Sequence, residues 1–185
     1  MSLSRNQLTK WMNSIDIANK TVLDIGAGPK EKWALNKVKG KPKLYSTADA
    51  DSTFDCDHII DLNESLSVVP TFDVVFCIEC LEHTWNPIKA IENLSLMTKE
   101  TLYLSTPFIN PHHDKWDYLR FTGEWYEKIL PMYGFKKVKI TERIATDGLK
   151  YLKDFYQVEG LRISKIRPEY GKYTYPIGYC VEASK

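Results

Sequence analysis

The chain has 185 residues, enough for one ordinary domain with a real core and no need of a second. Its 25 Lys and Arg stand against 24 Asp and Glu, a formal net charge of +1; that balance gives no electrostatic draw to a nucleic acid or a membrane, so a small-molecule partner is expected. No apolar run approaches the roughly 20 residues of a bilayer crossing, and the start Met-Ser-Leu-Ser-Arg-Asn-Gln lacks the apolar core of a signal peptide, so a cytoplasmic protein is expected.

From the N-terminus, Leu8, Trp11, Met12 and Ile15 recur at helical spacing, which predicts an amphipathic helix over Leu3–Ile17 with Ser4 able to cap it. Thr21–Ile25 reads as a buried strand. Glu31–Val38 reads as a short helix starting just past Pro29, and Gly40-Lys41-Pro42 closes it. A second strand opens at Lys43 or Leu44 and runs to a carboxylate at Asp49. A short third strand is predicted over Asp57–Ile60, and the brief segment from Ala50 leaves little room for a helix before it. Phe72–Ile78 is a continuous apolar strand, Pro87–Met97 a helix and Thr101–Ser105 a fifth strand. Strands alternating with helices imply crossovers and a parallel sheet covered on both faces. Further on, Gly123–Leu130 reads as a helix, Phe135–Thr141 as a strand and Pro176–Ala183 as the last strand. A polar, tyrosine-rich excursion over 142–175, with a helix predicted from Asp147 to Tyr156, separates those two strands. The whole of 1–185 is thus read as one domain with an irregular insertion.

The glycines at the end of the first strand carry the most information. Val22-Leu23-Asp24-Ile25-Gly26-Ala27-Gly28 brings a buried strand into a turn where the backbone can take positive φ and a ligand can approach without meeting a Cβ. Asp49 follows about twenty residues on, where a carboxylate would meet a ribose. A nicotinamide dinucleotide would require a third glycine at position 31, where Glu31 would repel a pyrophosphate, and no G-x-x-x-x-G-K-[ST] loop is present for ATP. Cys77 and Cys80 form a C-x-x-C pair without a second pair to complete a tetrahedral zinc site, so they are read as structural and no metal is expected.

Five pieces in order carry a resemblance: the 22–28 turn; Ala48-Asp49-Ala50-Asp51; Asp61-Leu62-Asn63; Phe72-Asp73-Val74-Val75-Phe76-Cys77-Ile78-Glu79-Cys80-Leu81-Glu82-His83; and Pro107-Phe108 followed by Asp117-Tyr118-Leu119-Arg120-Phe121-Thr122. Together they resemble the class I S-adenosylmethionine-dependent methyltransferases of the small-molecule type, in the type 11/12-like branch. The resemblance implies an α/β Rossmann-like fold: a seven-stranded, mostly parallel sheet with an antiparallel last strand and helices on both faces. It implies S-adenosylmethionine as cofactor and S-adenosylhomocysteine as product. Cofactor contacts would come from Asp24, Gly26, Ala27 and Gly28 at the first turn, Asp49 or Asp51 at the ribose, Asp61 and the Leu62 amide at the adenine, and Cys77 and Ile78 at the pocket mouth. Asp24 would either orient the glycine turn or meet the cofactor's ammonium group through water.

Methyl transfer asks the protein for alignment, exclusion of water and, where the acceptor carries a proton, a base. His83, in the Leu-Glu-His turn, is one candidate, its alternative being a histidine that holds the loop. His112 and His113 are the others. Trp116, Tyr118 and Arg120 would bind the acceptor, although Arg120 has the alternative of pairing with Asp117 to pin the loop, and Lys115 stands where that branch often has proline. Tyr151, Phe155, Tyr156, Tyr170, Tyr173 and Tyr175 suit either a lid or a homodimer interface. The reading is a methyltransferase acting on an oxygen or nitrogen of a small molecule, such as a sugar or a nucleotide-like metabolite. The alternative is an inactive cofactor-binding module with a regulatory or assembly role.

Overall fold

The computed structural model describes residues 3–68, 70–110, 115–145 and 176–185. Its elements in chain order are α1 (Leu3–Met12), β1 (Thr21–Ile25), β2 (Leu44–Asp49), β3 (His58–Ile59), β4 (Phe72–Ile78), α2 (Pro87–Met97), β5 (Thr98–Pro107), α3 (Gly123–Met132), β6 (Lys137–Ile144) and β7 (Pro176–Ser184). The strands form one sheet in the order β3-β2-β1-β4-β5-β7-β6. The first five run parallel, and β7 lies antiparallel between β5 and β6. This is the expected Rossmann-like architecture. Chain order reverses direction between β1 and β4, and in open α/β sheets ligands bind at the carboxyl ends of the strands flanking such a point.

Alternate side chains of the central strands serve two faces. Leu23, Ile25, Val75, Cys77, Leu102 and Leu104 pack with Ile91 and Leu94 of α2 and Tyr126 and Leu130 of α3. Val22, Val74 and Phe76 pack on the other face with Leu8 and Met12 of α1 and with Ile15 and Ile17. α2 has the boundaries its sequence predicts, because Asn86 Oδ1 accepts from the Lys89 amide at 3.3 Å and Pro87 occupies the first turn. Thr122 caps α3 in the same way through the Trp125 amide.

Three expectations are corrected. α1 stops at Met12, because the chain folds back for Ile17 N to reach Lys39 O at 2.9 Å and Lys39 N to reach Ile15 O at 2.8 Å; Ile15 and Ile17 are still buried. Ser4 lies within the helix, its hydroxyl accepting from Arg143 Nη1 at 3.0 Å. Residues 31–38 form no α-helix but two 3-10 turns, Lys30–Lys32 and Ala34–Asn36, split by an extended Trp33. The cause is lateral capture of amides that an α-helix would use: Ala34 N donates to Asp24 Oδ2 at 2.7 Å and Leu35 N to Tyr45 Oη at 3.1 Å. β5 and β6 extend past their predicted ends, and β6 takes 142–144 from the predicted insertion. The helix placed from Asp147 to Tyr156 and the tyrosine-rich stretch lie outside the described residues.

One ion pair, between a buried arginine and a part-exposed glutamate, ties the far side of the sheet to its centre. Arg143, 2% exposed on β6, crosses β7 at Gly178, where a Cβ would fall 2.2 Å from its guanidinium. Its Nη2 donates to Glu79 Oε1 at 2.8 Å, just past β4, and to the Thr106 carbonyl at 2.6 Å. Removing one partner of such a pair strands a charge, whereas removing both does not. Glu79→Ala is expected to lower the unfolding free energy by about 2–4 kcal/mol, and Glu79→Ala/Arg143→Met to recover part of that loss. Urea unfolding of the three proteins checks it; a double variant less stable than Glu79→Ala contradicts it.

Candidate active site

β1 and β4 are paired in register, Ile25 beside Cys77, and both chains leave the sheet in left-handed conformations. Gly26 has φ +68, Gly28 φ +57 and Glu79 φ +51. A Cβ at Gly26 would lie 2.4 Å from Cys80 Sγ and 2.7 Å from Cys80 Cβ, so only glycine fits there. At Gly28 nothing lies within 4 Å of the same position. The first glycine therefore answers to the protein's own packing, and the second borders open space.

The turn is held by backbone and carboxylate together. Gly26 N and Ala27 N donate to the Ala48 carbonyl at 2.9 and 3.2 Å. Gly28 N donates to Asp49 Oδ2 at 2.9 Å, and Asp51 N to Asp49 Oδ1 at 3.0 Å. Asp49, at the end of β2, is thus fixed beside the glycine turn, while each of its oxygens keeps further accepting capacity. Asp51 is exposed and accepts from Thr53 N; the Thr53 side chain, then that amide, lower its pKa. Asp24 is 3% exposed and turned beneath the turn, accepting from Ala34 N and, at 2.6 Å, from Tyr45 Oη. These two hydrogen bonds tie Asp24 to the segment that follows the glycine turn and to β2.

Asp61 is exposed, and its Oδ1 accepts from Asn63 N at 2.9 Å and Asn63 Nδ2 at 2.8 Å, an Asx turn beyond β3. That turn is docked on α2: Asn93 Nδ2 donates to the Leu62 carbonyl at 2.9 Å, and Asn86 N to Asn63 Oδ1 at 3.0 Å. The Leu62 side chain is buried. Cys77 is fully buried and Ile78 half-buried at the end of β4. Asp24, Gly26, Ala27, Gly28, Asp49, Asp61, Leu62, Cys77 and Ile78 therefore border the carboxyl ends of β1 to β4.

The acceptor-side candidates lie on the turn after β4 and the loop after β5. His83 Nδ1 sits 3.3 Å from the Trp116 carbonyl, and its Nε2 is 3.9 Å from Glu82 Oε1. Tyr118 N and Leu119 N both donate to the Glu82 carbonyl, at 2.9 and 3.2 Å. Asp117 and Arg120 form a two-pronged ion pair, and the guanidinium also donates to the Leu119 and Asn110 carbonyls. Arg120 thus pins the loop. Trp116 and Tyr118 are exposed, 52% and 47%. His112 and His113 lie outside the described residues. No group of three or more His, Cys, Asp or Glu arranged to hold a metal occurs among the described residues.

Several residues here escape sequence reasoning. Glu82 is fully buried, and among the described residues neither carboxyl oxygen has a hydrogen-bond partner; burial, then the charge of Glu79, raises its pKa well above the carboxylate range. Its only signal is its place in the Leu-Glu-His turn. Ser105 Oγ donates to Glu79 Oε1 at 2.9 Å, and Ser105 O accepts from Glu79 N at 2.9 Å, fixing the strained residue. Tyr45 is marked in the sequence only by alternation along β2.

The comparisons with known proteins follow this geometry. No protein-family model matches the chain, and no curated protein matches it in sequence. Solved structures do match in shape. The SAM-dependent methyltransferase of Archaeoglobus fulgidus is 18% identical, with 99% of this chain and 92% of that one covered at a TM-score of 0.61. The S-adenosylmethionine-dependent methyltransferase of Mesorhizobium loti is 14% identical, with both chains covered in full at 0.61. The [4+2]-cyclase SpnF is 15% identical, with 97% of this chain and 80% of that one covered at 0.63.

Burial pushes the Asp24 carboxyl up to about 6 from 3.8, against the opposing hydrogen bonds of Tyr45 and Ala34. The native state therefore keeps a proton that the unfolded chain releases. This contribution to stability is full below about pH 4 and is lost as pH rises to about 6, amounting to about 3 kcal/mol. Asp24→Asn accepts the same two hydrogen bonds without titrating, so it is expected to gain about 2–3 kcal/mol on the parent protein across that window. Urea unfolding of both proteins at several pH values checks this, and a gap that does not change with pH contradicts it. From sheet order and strand directions to overall shape, the chain has the fold of the class I S-adenosylmethionine-dependent methyltransferases.

Proposed function

We propose that the chain binds S-adenosylmethionine along the carboxyl ends of β1, β2 and β4 and transfers its methyl group to an oxygen or nitrogen of a small molecule. The observation that carries this reading is the pair Gly28 and Asp49. One offers a left-handed backbone with open space where a Cβ would stand, and the other is a carboxylate anchored to it by a 2.9 Å hydrogen bond. A nucleoside with an amino-acid tail needs both, a backbone it can approach closely and a paired acceptor for two ribose hydroxyls. Asp61 and the Leu62 amide would read the adenine, and Cys77 and Ile78 would wall the mouth of the pocket. Asp49 suits the ribose better than Asp51, because its oxygens are held at the glycine turn while Asp51 projects into solvent.

The bound cofactor would supply an already activated methyl group, so this chain's residues have only to align the acceptor, exclude water and take a proton. Trp116 and Tyr118 present exposed aromatic surface on the loop that Arg120 and Asp117 stiffen, which suits a flat or sugar-like acceptor. His83, His112 and His113 are the candidate bases. A second reading, a binding module without turnover, draws on His83: with Nδ1 set against the Trp116 carbonyl, the ring serves the loop as readily as an acceptor. The [4+2]-cyclase on the same fold adds that the shape does not oblige methyl transfer. One domain, cytoplasmic placement, a small acceptor and a homodimer complete the proposal.

Calorimetric titration with S-adenosylmethionine and S-adenosylhomocysteine is the test. Saturable binding of both is expected, weakened by roughly 30- to 1,000-fold in Asp49→Ala through loss of two charge-assisted hydrogen bonds. Gly28→Ala is expected to fold, because its Cβ enters open space at a strain of about 1 kcal/mol, and to lose most of the affinity. Absence of binding by the parent protein refutes the reading. Binding without methylation of any acceptor in a metabolite panel favours the module.

A further inference from the structure

Cys80 is half-buried at the open edge of the site, with its Sγ against the Cα of Gly26, which leaves no room for a side chain there. Cys77 is fully buried at the end of β4, in register with Ile25, the residue just before Gly26. The left-handed Glu79 between them folds the chain back, and Cys80 packs against the buried cluster that holds Cys77; the neighbouring Cys80 thiol and burial push the Cys77 thiol well above the ordinary range. Both cysteines are free. No cluster of three or more metal-ligating side chains occurs among the described residues.

We propose that Cys77 and Cys80 are a redox-active dithiol, oxidised by a peroxide to a disulfide that draws Cys80 off Gly26 and loosens the glycine turn. The partly exposed Cys80 thiolate attacks the peroxide, forming an S–O bond and breaking O–O, so Cys80 becomes a sulfenic acid and hydroxide leaves. Cys77 sulfur then displaces that hydroxyl, forming S–S, and its proton leaves with the oxygen as water. Two thiols are oxidised, and one hydrogen peroxide is reduced to two waters. Because Cys80 supports the turn that Gly28 continues, oxidation opposes cofactor binding, and bound cofactor opposes oxidation by the same factor. Only this last consequence rests on the S-adenosylmethionine reading.

The test uses the full chain carrying Cys56→Ser and Cys180→Ser, reduced and then treated with hydrogen peroxide, with peptide mapping by mass spectrometry. A Cys77–Cys80 disulfide reversed by dithiothreitol is expected, with faster amide hydrogen exchange at Gly26–Gly28. S-adenosylhomocysteine affinity should fall by roughly 5- to 150-fold and return on reduction. Cys77→Ala should stop at the sulfenic acid without the reversible loss of affinity. The proposal is overturned if Cys80 oxidises while Cys77 stays reduced, or if the disulfide forms with exchange at 26–28 unchanged. If the reduced protein binds no S-adenosylhomocysteine, the cofactor reading fails, and mapping with hydrogen exchange still decides the dithiol.

Discussion

The closeness of two chain ends organises this molecule. β1 and β4 lie side by side in register and leave the sheet together, so the backbone of Gly26 and the side chain of Cys80 compete for one volume. Glycine yields that volume, and Glu79 accepts a left-handed backbone so that Cys80 can fill it. A left-handed non-glycine residue costs about 1–2 kcal/mol and persists only where its surroundings insist on it. Here they do: Ser105 holds Glu79 by backbone and hydroxyl, and Arg143 holds its carboxylate from across β7. The antiparallel end of the sheet thus helps to shape the turn at its parallel centre.

The same edge gathers acids that a protein interior does not readily hold, and each is managed differently. Glu79 is paired with Arg143, and Asp117 with Arg120. Asp24 accepts two hydrogen bonds and still has a raised pKa, since burial outweighs them. Glu82 has no hydrogen-bond partner among the described residues, only His83 Nε2 at 3.9 Å, and burial and then the negative charge of Glu79 raise its pKa. Its backbone carbonyl accepts from the Tyr118 and Leu119 amides, so this buried acid lies where the loop after β5 docks.

What the sequence made legible follows from how local each determinant is. β1, β4 and α2 have the predicted boundaries because apolar runs, Pro87 and the Asn86 cap act within a few residues. The glycine turn and Asp49 were legible as a spacing, while the hydrogen bond from Gly28 N that unites them was not. The false helix over 31–38 has the opposite cause: its amides are taken by Asp24 and Tyr45, which approach from two strands and leave no mark on the segment itself. Arg143 was hidden for the same reason. In an alternating strand an arginine reads as solvent-facing, and only the passage over Gly178 of β7 shows that it is buried.

The two halves of the site are built on different principles, and this bears on where specificity can arise. The proposed cofactor half is set by strand register, left-handed turns and backbone hydrogen bonds, none of which a side-chain change at the surface would alter. Even without a helix between β2 and β3, the segment that closes this flank is fixed: Asp57 accepts from Thr47 N at 2.8 Å and from Thr47 Oγ1 at 3.2 Å. The proposed acceptor half instead stands on a loop pinned by side chains, Arg120 on Asp117 and His83 beside Trp116, with the aromatic surface of Trp116 and Tyr118 left exposed. Such a loop can change its exposed residues while the anchors keep its path. A change at the exposed Trp116 or Tyr118 would therefore leave the hydrogen bonds of the glycine turn in place.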